Sequence, residues 1–438
     1  MKYRILHYLI RFLVGEDAPS EIVESIGYTN DPSRFSKYNV VIIPSGFFEE
    51  EMYGTQASLP QLPLAEVEGI PLLFGTPKEE WIGNTFVVHA DIIASTYFMV
   101  SRYEEMMRRD ARDKHGRFPG RESLPFRAGF LHRPIVDEYR LLLHRWVRRS
   151  HQQLPIPEVK HQIRKVYLTH DVDAPTLYRT WKGFVRSLLD QRGLIASLRG
   201  KFGAVDNDPY YTFPWLFQQN NRLREALGKA HCEAILFMRG GGNTAFDKPH
   251  YKLSDRDLRR LLKKAAELDM LIGLHSSYQA GNEPTLIRKE KEVLEAHIHQ
   301  EIHCNRHHFL DCREPEDMEQ IEAAGIMEDF TMGYADVAGF RLGTCHPVRW
   351  INPITRRLSP LLLHPLLIMD CSLDAPKYMG LSHDEALTYG LNLIEQVRKV
   401  NGELVLLWHN ENVMPSSPSY LRELYAELLN ELAKKEEQ

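Results

Sequence analysis

From residue 166 onward, short apolar segments alternate with amphipathic ones, and this alternation limits the fold more than any other feature of the sequence. Seven segments have the apolar runs that are typical of strands: 166–171, 232–239, 271–276, 302–310, 325–331, 363–371 and 403–409. The stretches between them, such as residues 255–269 and 285–299, repeat apolar residues at helical spacing. Strands that alternate with helices predict a parallel α/β sheet or barrel.

Residues 1–150 do not show this alternation, although residues 91–105 have the spacing of a helix. Residues 151–165, HQQLPIPEVKHQIRK, are polar and contain two prolines, which is typical of a segment between domains. We therefore expect an N-terminal accessory domain of unknown function over residues 1–155 and a second, barrel-like domain over residues 156–438.

Composition excludes several classes of function. The chain of 438 residues has a net charge of −5 and an isoelectric point near 6.5, whereas a general nucleic-acid binder carries a basic excess. We therefore expect no nucleic-acid partner. Its five cysteines include no CxxC pair, so neither a disulfide framework nor a zinc finger is predicted.

The sequence predicts a cytoplasmic protein without a transmembrane segment. No stretch has the roughly 18 apolar residues of a membrane span. Arg4, His7 and Arg11 interrupt the apolar N-terminal stretch, so no secretory signal is predicted. We expect residues 1–14 to form an element of the first domain, and an amphipathic helix on a membrane surface is the alternative.

Ligand-type side chains follow five of the seven predicted strands. The first strand ends in THDVD, which places Asp171 and Asp173 two residues apart, on the same side of an extended chain. The later strands end in His275, in Arg306 and His308, in Asp329 and in His409. In (β/α) folds the working residues lie at the C-terminal ends of the strands, so these side chains are predicted to converge.

Other protein classes also use an Asp-x-Asp pair or a related motif. A haloacid-dehalogenase phosphatase has Thr or Val two residues after the second aspartate, where this chain has Pro175. A glycosyltransferase would bind a metal with the pair but does not need the downstream histidines. GGGNTA (240–245) fits a dinucleotide fingerprint, yet Pro249 follows where a helix should begin. The chain has no G-x-S-x-G nucleophile elbow.

Over residues 163–412 the chain resembles the NodB-type polysaccharide deacetylases of carbohydrate esterase family 4. THDVD matches the paired aspartates of the first family motif, and HSSYQ (275–279) matches H-[ST]-x-x-H except at its last position. RHHFL (306–310) offers the arginine of the third motif, and LLWHN (406–410) offers the histidine of the fifth. The resemblance implies an α/β protein with a distorted (β/α)7-type barrel, preceded here by a smaller mixed α/β domain.

The resemblance also implies roles for individual residues. Asp171 would be the general base and Arg306 would orient it. His409 would protonate the leaving amine, with Asp329 as the candidate for raising the pKa of His409. The implied reaction is the hydrolytic removal of an N-acetyl or other N-acyl group from a carbohydrate or glycoconjugate.

The family binds a divalent metal ion, which we expect to be Zn²⁺, through one aspartate and two histidines. Asp173 and His275 match this set, but Gln279 replaces the second histidine, and its amide is a poor ligand for a transition metal. Alternate residues of a strand share one side, so His308 should face the same way as Arg306. We favour His308 as the third ligand. The alternative is that His308 binds only substrate and the metal is weak or absent.

The substrate is expected to be an N-acetylated sugar, a polysaccharide, a glycolipid or a nucleotide sugar. Arg341, which stands between glycines in GFRLG, is a candidate for contact with an anionic substrate group, and a structural arginine is the alternative. Tyr210, Tyr278 and Trp408 are candidates for contact with sugar faces. Two further functions stay open: another C–N hydrolase acting on a small molecule and, because of Gln279, a catalytically silent sugar-binding protein.

Overall fold

The structure, a computed structural model, describes residues 3–151, 155–190 and 193–434. It contains a smaller N-terminal α/β unit and a larger C-terminal unit built on one curled, half-barrel sheet. The predicted fold class, a barrel-like α/β unit preceded by a smaller mixed α/β unit, is confirmed. All seven predicted strand segments contain a strand.

The N-terminal unit combines a small mixed sheet with helices. Its helices are Tyr3–Val14 (α1), Ser20–Glu24 (α2), Ile92–Val100 (α3), Tyr103–Met107 (α4), Leu124–Arg127 (α5) and Ile135–Ser150 (α6). Its strands are Ile26–Tyr28 (β1), Val40–Ile42 (β2), Ala65–Val67 (β3), Ile70–Leu72 (β4), Gly75–Ile82 (β5) and Thr85–Ala90 (β6). The sheet has the order β1-β2-β6-β5, in which only β5 is antiparallel to its neighbour, and β3 and β4 form a separate pair.

Two helical predictions for this unit can be compared with the structure. Helix α1 buries Ile5, Leu9 and Leu13, which lie four residues apart and therefore on one face, in the core of the unit. The alternative of a membrane-surface helix over residues 1–14 is therefore wrong for the described part of that segment. The helix predicted over residues 91–105 is divided into α3 and α4, because Arg102 between them adopts a left-handed conformation with φ of 58°.

The C-terminal unit is organised around nine strands. They are Lys165–Asp171 (β7), Cys232–Met238 (β8), Leu271–Ser276 (β9), Cys304–His307 (β10), Glu328–Asp329 (β11), Val348–Asn352 (β12), Arg357–Leu363 (β13), Ile368–Met369 (β14) and Glu403–Leu407 (β15). The sheet has the order β12-β13-β11-β10-β9-β8-β7-β15-β14, and every pairing except β12 with β13 is parallel. Strand β10 ends earlier than predicted because Phe309 and Leu310 adopt positive φ angles of 61° and 53°.

Helices alternate with most of these strands along the chain. They are Trp181–Leu189 (α7), Leu194–Phe202 (α8), Phe213–Leu227 (α9), Arg256–Glu267 (α10), Tyr278–Asn282 (α11), Leu286–Ile298 (α12), Met318–Ala323 (α13), Asp370–Asp374 (α14), His383–Lys399 (α15) and Leu421–Ala433 (α16). Among the described residues, no helix has the length and apolar character needed to cross a membrane.

The two units share a buried interface. Arg341 of the C-terminal unit donates hydrogen bonds of 2.9 and 2.8 Å to Glu105 of α4. Asp137 of α6 accepts a hydrogen bond of 2.7 Å from the Thr344 hydroxyl. The predicted linker, residues 151–165, includes residues 152–154, which lie outside the described residues, and the domain boundary after residue 155 stays a prediction.

Candidate metal centre

Three strands of the large sheet bring the predicted ligands to one place. Asp171 is the last residue of β7 and Asp173 follows two residues later, while His275 lies near the end of β9. In β10, Arg306 stands in register with His275, and His308 lies just beyond the strand. Because β7, β9 and β10 run parallel in the same sheet, with only β8 between β7 and β9, their C-terminal ends lie at one edge of the sheet.

Asp173, His275 and His308 form a group in which one ligand atom from each residue lies within 4.8 Å of the others. The Nε2 atoms of His275 and His308 lie 3.1 and 3.2 Å from the same carboxylate oxygen, Oδ1 of Asp173. Both imidazoles are buried, while about a quarter of the Asp173 side chain, 23%, is exposed. One carboxylate and two imidazoles are a common ligand set for Zn²⁺ in proteins.

The surroundings of the two histidines fit a bound cation. The Nδ1 atom of His275 donates a 2.9 Å hydrogen bond to the carbonyl oxygen of Arg306, so a neutral ring turns its Nε2 lone pair toward Asp173. A lone pair and a carboxylate oxygen repel each other unless a proton or a metal ion lies between them. The Nδ1 atom of His308 lies 3.5 Å from Oδ1 of Asp247, and it is buried without a hydrogen-bond partner.

The electrostatics of this group also call for a positive charge. Burial disfavours a charged His308, but the Asp173 carboxylate outweighs burial and raises the pKa of His308 to about 9. Burial would raise the pKa of Asp173, yet the neighbouring histidines hold it well below its usual range. The Asp173 carboxylate therefore favours positive charge at this position, and a divalent cation that bound there would displace protons from its ligands.

Asp171, the predicted base, stands beside the metal group without belonging to it. Its Oδ1 atom accepts a 3.2 Å hydrogen bond from Nη1 of Arg306, and its Oδ2 atom lies 3.7 Å from Nε2 of His275. Arg306 is fully buried and is itself held by the Phe330 carbonyl oxygen at 3.0 Å and the Thr169 hydroxyl at 2.6 Å. Asp171 is therefore fixed in position through one oxygen, and the other oxygen faces the metal group.

His409 approaches the same group from β15, and its partner is Asp370. The Nδ1 atom of His409 donates a 2.8 Å hydrogen bond to Oδ1 of Asp370, while Nε2 lies 3.8 Å from Oδ2 of Asp173. Burial disfavours a charged His409, but the Asp370 carboxylate raises its pKa well above the usual range. Asp370, Cys371 and His409 form a second group of closely spaced ligand-type atoms.

This arrangement corrects the prediction for Asp329. Its carboxylate accepts hydrogen bonds from the Asn305 amide at 2.8 Å, from the Thr331 backbone N–H at 2.9 Å and from the Thr331 hydroxyl at 2.9 Å. Asp329 is fully buried at the end of β11, so it ties β10 to the following segment. The position that was predicted for Asp329 beside His409 is occupied by Asp370.

A cavity of 230 Å³ opens onto these residues. Its polar lining includes Asp171, Asp173, His308 and His409, and its apolar lining includes Leu310, Ala335, Met369 and Leu407. Arg117 of the N-terminal unit also lines it. The Arg117 guanidinium donates to the Phe309 carbonyl oxygen at 2.6 Å and to the Asp113 carboxylate at 2.7 Å, so the smaller unit completes the wall of the cavity.

The predicted substrate contacts need correction in two cases. Arg341 is buried and its guanidinium is neutralised by Glu105, so it does not present a charge to a ligand. Trp408 is fully buried and its indole N–H donates to the Leu421 carbonyl oxygen at 3.0 Å, away from the cavity. Both side chains belong to the core instead.

Neither Tyr278 nor Tyr210 is among the residues that line the cavity. Tyr278 is buried against Phe309, with ring centroids 5.5 Å apart, so it stands one layer behind the cavity wall. Tyr210 is partly buried, and its carbonyl oxygen accepts a 2.7 Å hydrogen bond from the Asn410 amide. A role for either ring in sugar binding stays a prediction.

The sequence analysis missed several functional candidates. Asp370 had a visible signal, because it stands at the end of the predicted strand 363–371 just as Asp171 ends the predicted strand 166–171. Asp247 and Arg117 had no such signal, because loops far away in the sequence bring them to the site.

Known proteins match this chain in two ways, through a sequence family and through solved structures. A family of unknown function, DUF7033, matches residues 3–152. No curated protein matches the chain. The chain is structurally similar to carbohydrate esterase family 4 proteins. A crystal structure assigned as a polysaccharide deacetylase from Mycobacterium smegmatis matches 64% of this chain and 86% of that chain, with 16% identity and a TM-score of 0.38.

A second similar structure is a mutant of a CE4 family pseudoenzyme with restored enzymatic activity. The match covers 62% of this chain and 62% of that chain, with 12% identity and a TM-score of 0.28. The chain therefore spans less than two thirds of that protein.

Proposed function

We propose that this protein is a divalent-metal-dependent hydrolase that removes an N-acyl group, in the first place N-acetyl, from a carbohydrate or glycoconjugate. The observation that carries the proposal is the convergence of His275 and His308 on one oxygen of Asp173, directly beside Asp171. A metal ligand set beside a separate base is one of the arrangements that can hydrolyse an unreactive amide.

Asp173, His275 and His308 would hold the ion, and we expect Zn²⁺ because imidazole and carboxylate are among its usual ligands. When bound, such an ion polarises a carbonyl group and lowers the pKa of water from ~15.7 toward ~7. Three protein ligands are the usual number in catalytic zinc sites, in which further positions stay open to water and substrate.

Asp171 would take a proton from the attacking water through its Oδ2 atom, which faces the metal group. Arg306 binds the opposite oxygen of Asp171 and prevents the carboxylate from rotating away. The water oxygen then forms a bond to the carbonyl carbon of the substrate, and the proton remains on Asp171. General base catalysis of this kind contributes roughly 10²–10⁴-fold to the rate.

His409 would complete the reaction as the general acid. The C–N bond breaks, and the leaving nitrogen takes a proton from Nε2 of His409, which is the nitrogen turned toward Asp173. Asp370 holds the other ring nitrogen and thereby fixes the orientation of the ring. The products are a carboxylic acid, acetic acid in the simplest case, and a free amine.

The cavity is suited to a small acyl group. Leu310, Ala335, Met369 and Leu407 provide apolar surface beside the polar groups, and an acetyl methyl group loses contact with water there. The sugar itself would lie toward the mouth of the cavity, where Lys377 and Tyr378 line it. Which sugar binds, and the cytoplasmic location expected from the sequence, stay predictions.

Metal analysis of the purified protein together with a substrate panel tests this proposal. We expect about one equivalent of a divalent metal, acetate release from at least one N-acetylated sugar, and loss of release with a chelator that added Zn²⁺ reverses. Asp171→Asn is the control, because it should keep the metal and lose acetate release. A full equivalent of metal and sugar binding without release would instead identify a silent binding protein.

A further inference from the structure

Helices α7 and α8 form a hairpin whose outer surface is apolar. Eight of the eighteen exposed large apolar side chains in the described part of the chain lie on these two nine-residue helices. Trp181, Leu189, Ile195 and Phe202 each expose between 65% and 76% of their surface. Single exposed apolar residues are ordinary, but a cluster of this size marks an interaction surface.

The hairpin has small residues on its buried face and large apolar residues on its exposed face, the reverse of a hairpin that packs into a protein core. Its buried residues are small: Gly183 and Ser187 in α7, and Ser197 and Gly200 in α8. The hydroxyl groups of Ser187 and Ser197 are hydrogen-bonded to each other at 2.8 Å across the two helices. The large apolar residues therefore point outward, because the two helices pack closely through these small residues and leave no space for large side chains between them.

The base of the hairpin is firmly attached to the catalytic unit. Arg179 pairs with Asp257 of α10 at 2.8 Å and donates a 2.7 Å hydrogen bond to the Gly203 carbonyl oxygen beyond α8. Asp208 accepts a 2.7 Å hydrogen bond from the Leu177 backbone N–H. The outer face is thus held in place on a fixed support.

The charge of the hairpin differs from that of the whole protein. The two helices, WKGFVRSLL and LIASLRGKF, carry four basic residues and no acidic one, although the chain has a net charge of −5. The Nζ atom of Lys201 lies 3.9 Å from the Trp181 ring centre, and Lys182 and Arg199 are exposed. Basic residues beside exposed Trp, Phe and Leu are typical of helices that lie in a lipid–water interface.

We propose that the α7–α8 hairpin docks the protein onto an anionic lipid bilayer. A second copy of the chain is a poorer occupant, because a symmetric contact would bring Lys182, Arg199 and Lys201 against the same residues of the other copy. Anionic lipid head groups complement the cations, and the acyl boundary accepts a convex apolar surface. The hairpin begins eight residues after Asp173, in the connection that follows the C-terminal end of β7.

Co-sedimentation of the full chain with vesicles tests the docking. We expect binding to vesicles of phosphatidylcholine with 30% phosphatidylglycerol and much weaker binding to phosphatidylcholine alone. The variant Trp181→Ser/Leu189→Ser/Ile195→Ser should bind the anionic vesicles at least tenfold more weakly, because it removes the inserted apolar surface. In Lys182→Gln/Arg199→Gln, affinity should fall roughly fivefold for each cation removed.

A matched control separates this surface from general stickiness. Trp81→Ser/Ile82→Ser/Ile354→Ser removes three large apolar side chains that are exposed elsewhere, between 45% and 54% of their surface, and it should bind as the unchanged protein does. An unchanged thermal midpoint of the hairpin variant would show that it remains folded. Absence of binding to the anionic vesicles, or equal losses in both triple variants, would overturn the proposal.

The oligomeric state distinguishes lipid docking from an interface between two copies of the chain. A dimer that the hairpin variant converts into a monomer, measured by light scattering after gel filtration, would make the hairpin an interface between copies and overturn lipid docking. The sedimentation experiment needs no substrate and no metal. Its result is therefore independent of the proposed hydrolase activity, and either proposal can fail alone.

Discussion

Asp173 and Asp370 both face histidines at the same edge of the sheet, yet their carboxylates are in opposite situations. Asp370 is fully buried and accepts four hydrogen bonds, from the His409 ring, the His409 and Cys371 backbone N–H groups and the Asn412 amide. The short contacts of Asp173 are to the Nε2 atoms of His275 and His308, which are the atoms that bind metals.

The comparison shows that the number of hydrogen-bond donors around a carboxylate determines whether it can still bind a metal ion. A carboxylate has about four lone-pair positions, and those of Asp370 are already taken by protein donors. It can orient His409 but has little capacity left for a metal. Asp173 has partners that either share a proton with it or join it in binding a cation. Proximity of His, Cys and Asp side chains alone would not distinguish the two groups.

The sharpest test of this difference removes the ligands of the first group. Asp173→Ala and His308→Ala should each lose the bound divalent ion, because two protein ligands do not hold zinc stably. Turnover should fall by more than the roughly 10²–10⁴-fold that one acid–base group contributes. Elemental analysis measures the metal. Gln279→Ala is the control and should keep it, and metal loss in that variant alone would make Gln279, not His308, the third ligand.

The second test separates the base from the ligands. Asp171→Asn should keep a full equivalent of metal, while acetate release falls roughly 10²–10⁴-fold, because an amide cannot accept a proton from water. Parallel measurements of metal content and turnover check this. Turnover near that of the unchanged protein would make Asp171 structural and would return attention to the phosphatase and glycosyltransferase interpretations of the THDVD segment.

The third test concerns the role of the second group as a proton donor. His409→Ala should lower turnover of an amide substrate by roughly a hundredfold or more, because an amine leaves poorly without a proton. A phenyl ester of the same acyl group should be affected far less, because phenolate leaves without a proton. Comparison of kcat on the two substrates checks the role. Equal losses on both would point to a disturbed metal site instead.

The smallest effect is expected for Cys371, the remaining member of the second group. Burial raises the pKa of its thiol, so the thiolate that a metal requires is disfavoured. Cys371→Ser should keep the metal, and turnover should stay within roughly threefold of the unchanged protein. If Cys371→Ser lost the metal while His308→Ala kept it, the comparison between the two groups would be reversed.

The sequence predicts those parts of the site that depend on strand periodicity. Asp171, Asp173, His275 and Arg306 follow from the rule that residues at the C-terminal ends of parallel strands meet, and the structure places them together. His308 is a partial case, since β10 ends at His307, three residues earlier than predicted, and His308 still reaches Asp173. The α/β fold class was predictable because segments with strand periodicity alternate with segments of helical periodicity.

The remaining parts depend on long-range contacts that no local pattern contains. Arg341 resembles a ligand-binding arginine in sequence, but its partner Glu105 lies 236 residues away. The sequence also could not predict the exposed outer face of α7 and α8. The spacing of apolar residues does not tell which face of a helix the rest of the protein covers. In both cases the missing information was which side chains the folded protein buries.

The pairing of Arg341 with Glu105 has a consequence for dissection of the chain. A fragment that began after residue 155 would keep the Arg341 guanidinium but lose the carboxylate that neutralises it, and a buried charge stripped of its partner is strongly destabilising. The same cut would remove Arg117, which binds the Phe309 carbonyl oxygen next to His308. The larger unit is therefore not expected to be stable as a separate domain. The two units are expected to be inherited, expressed and engineered together.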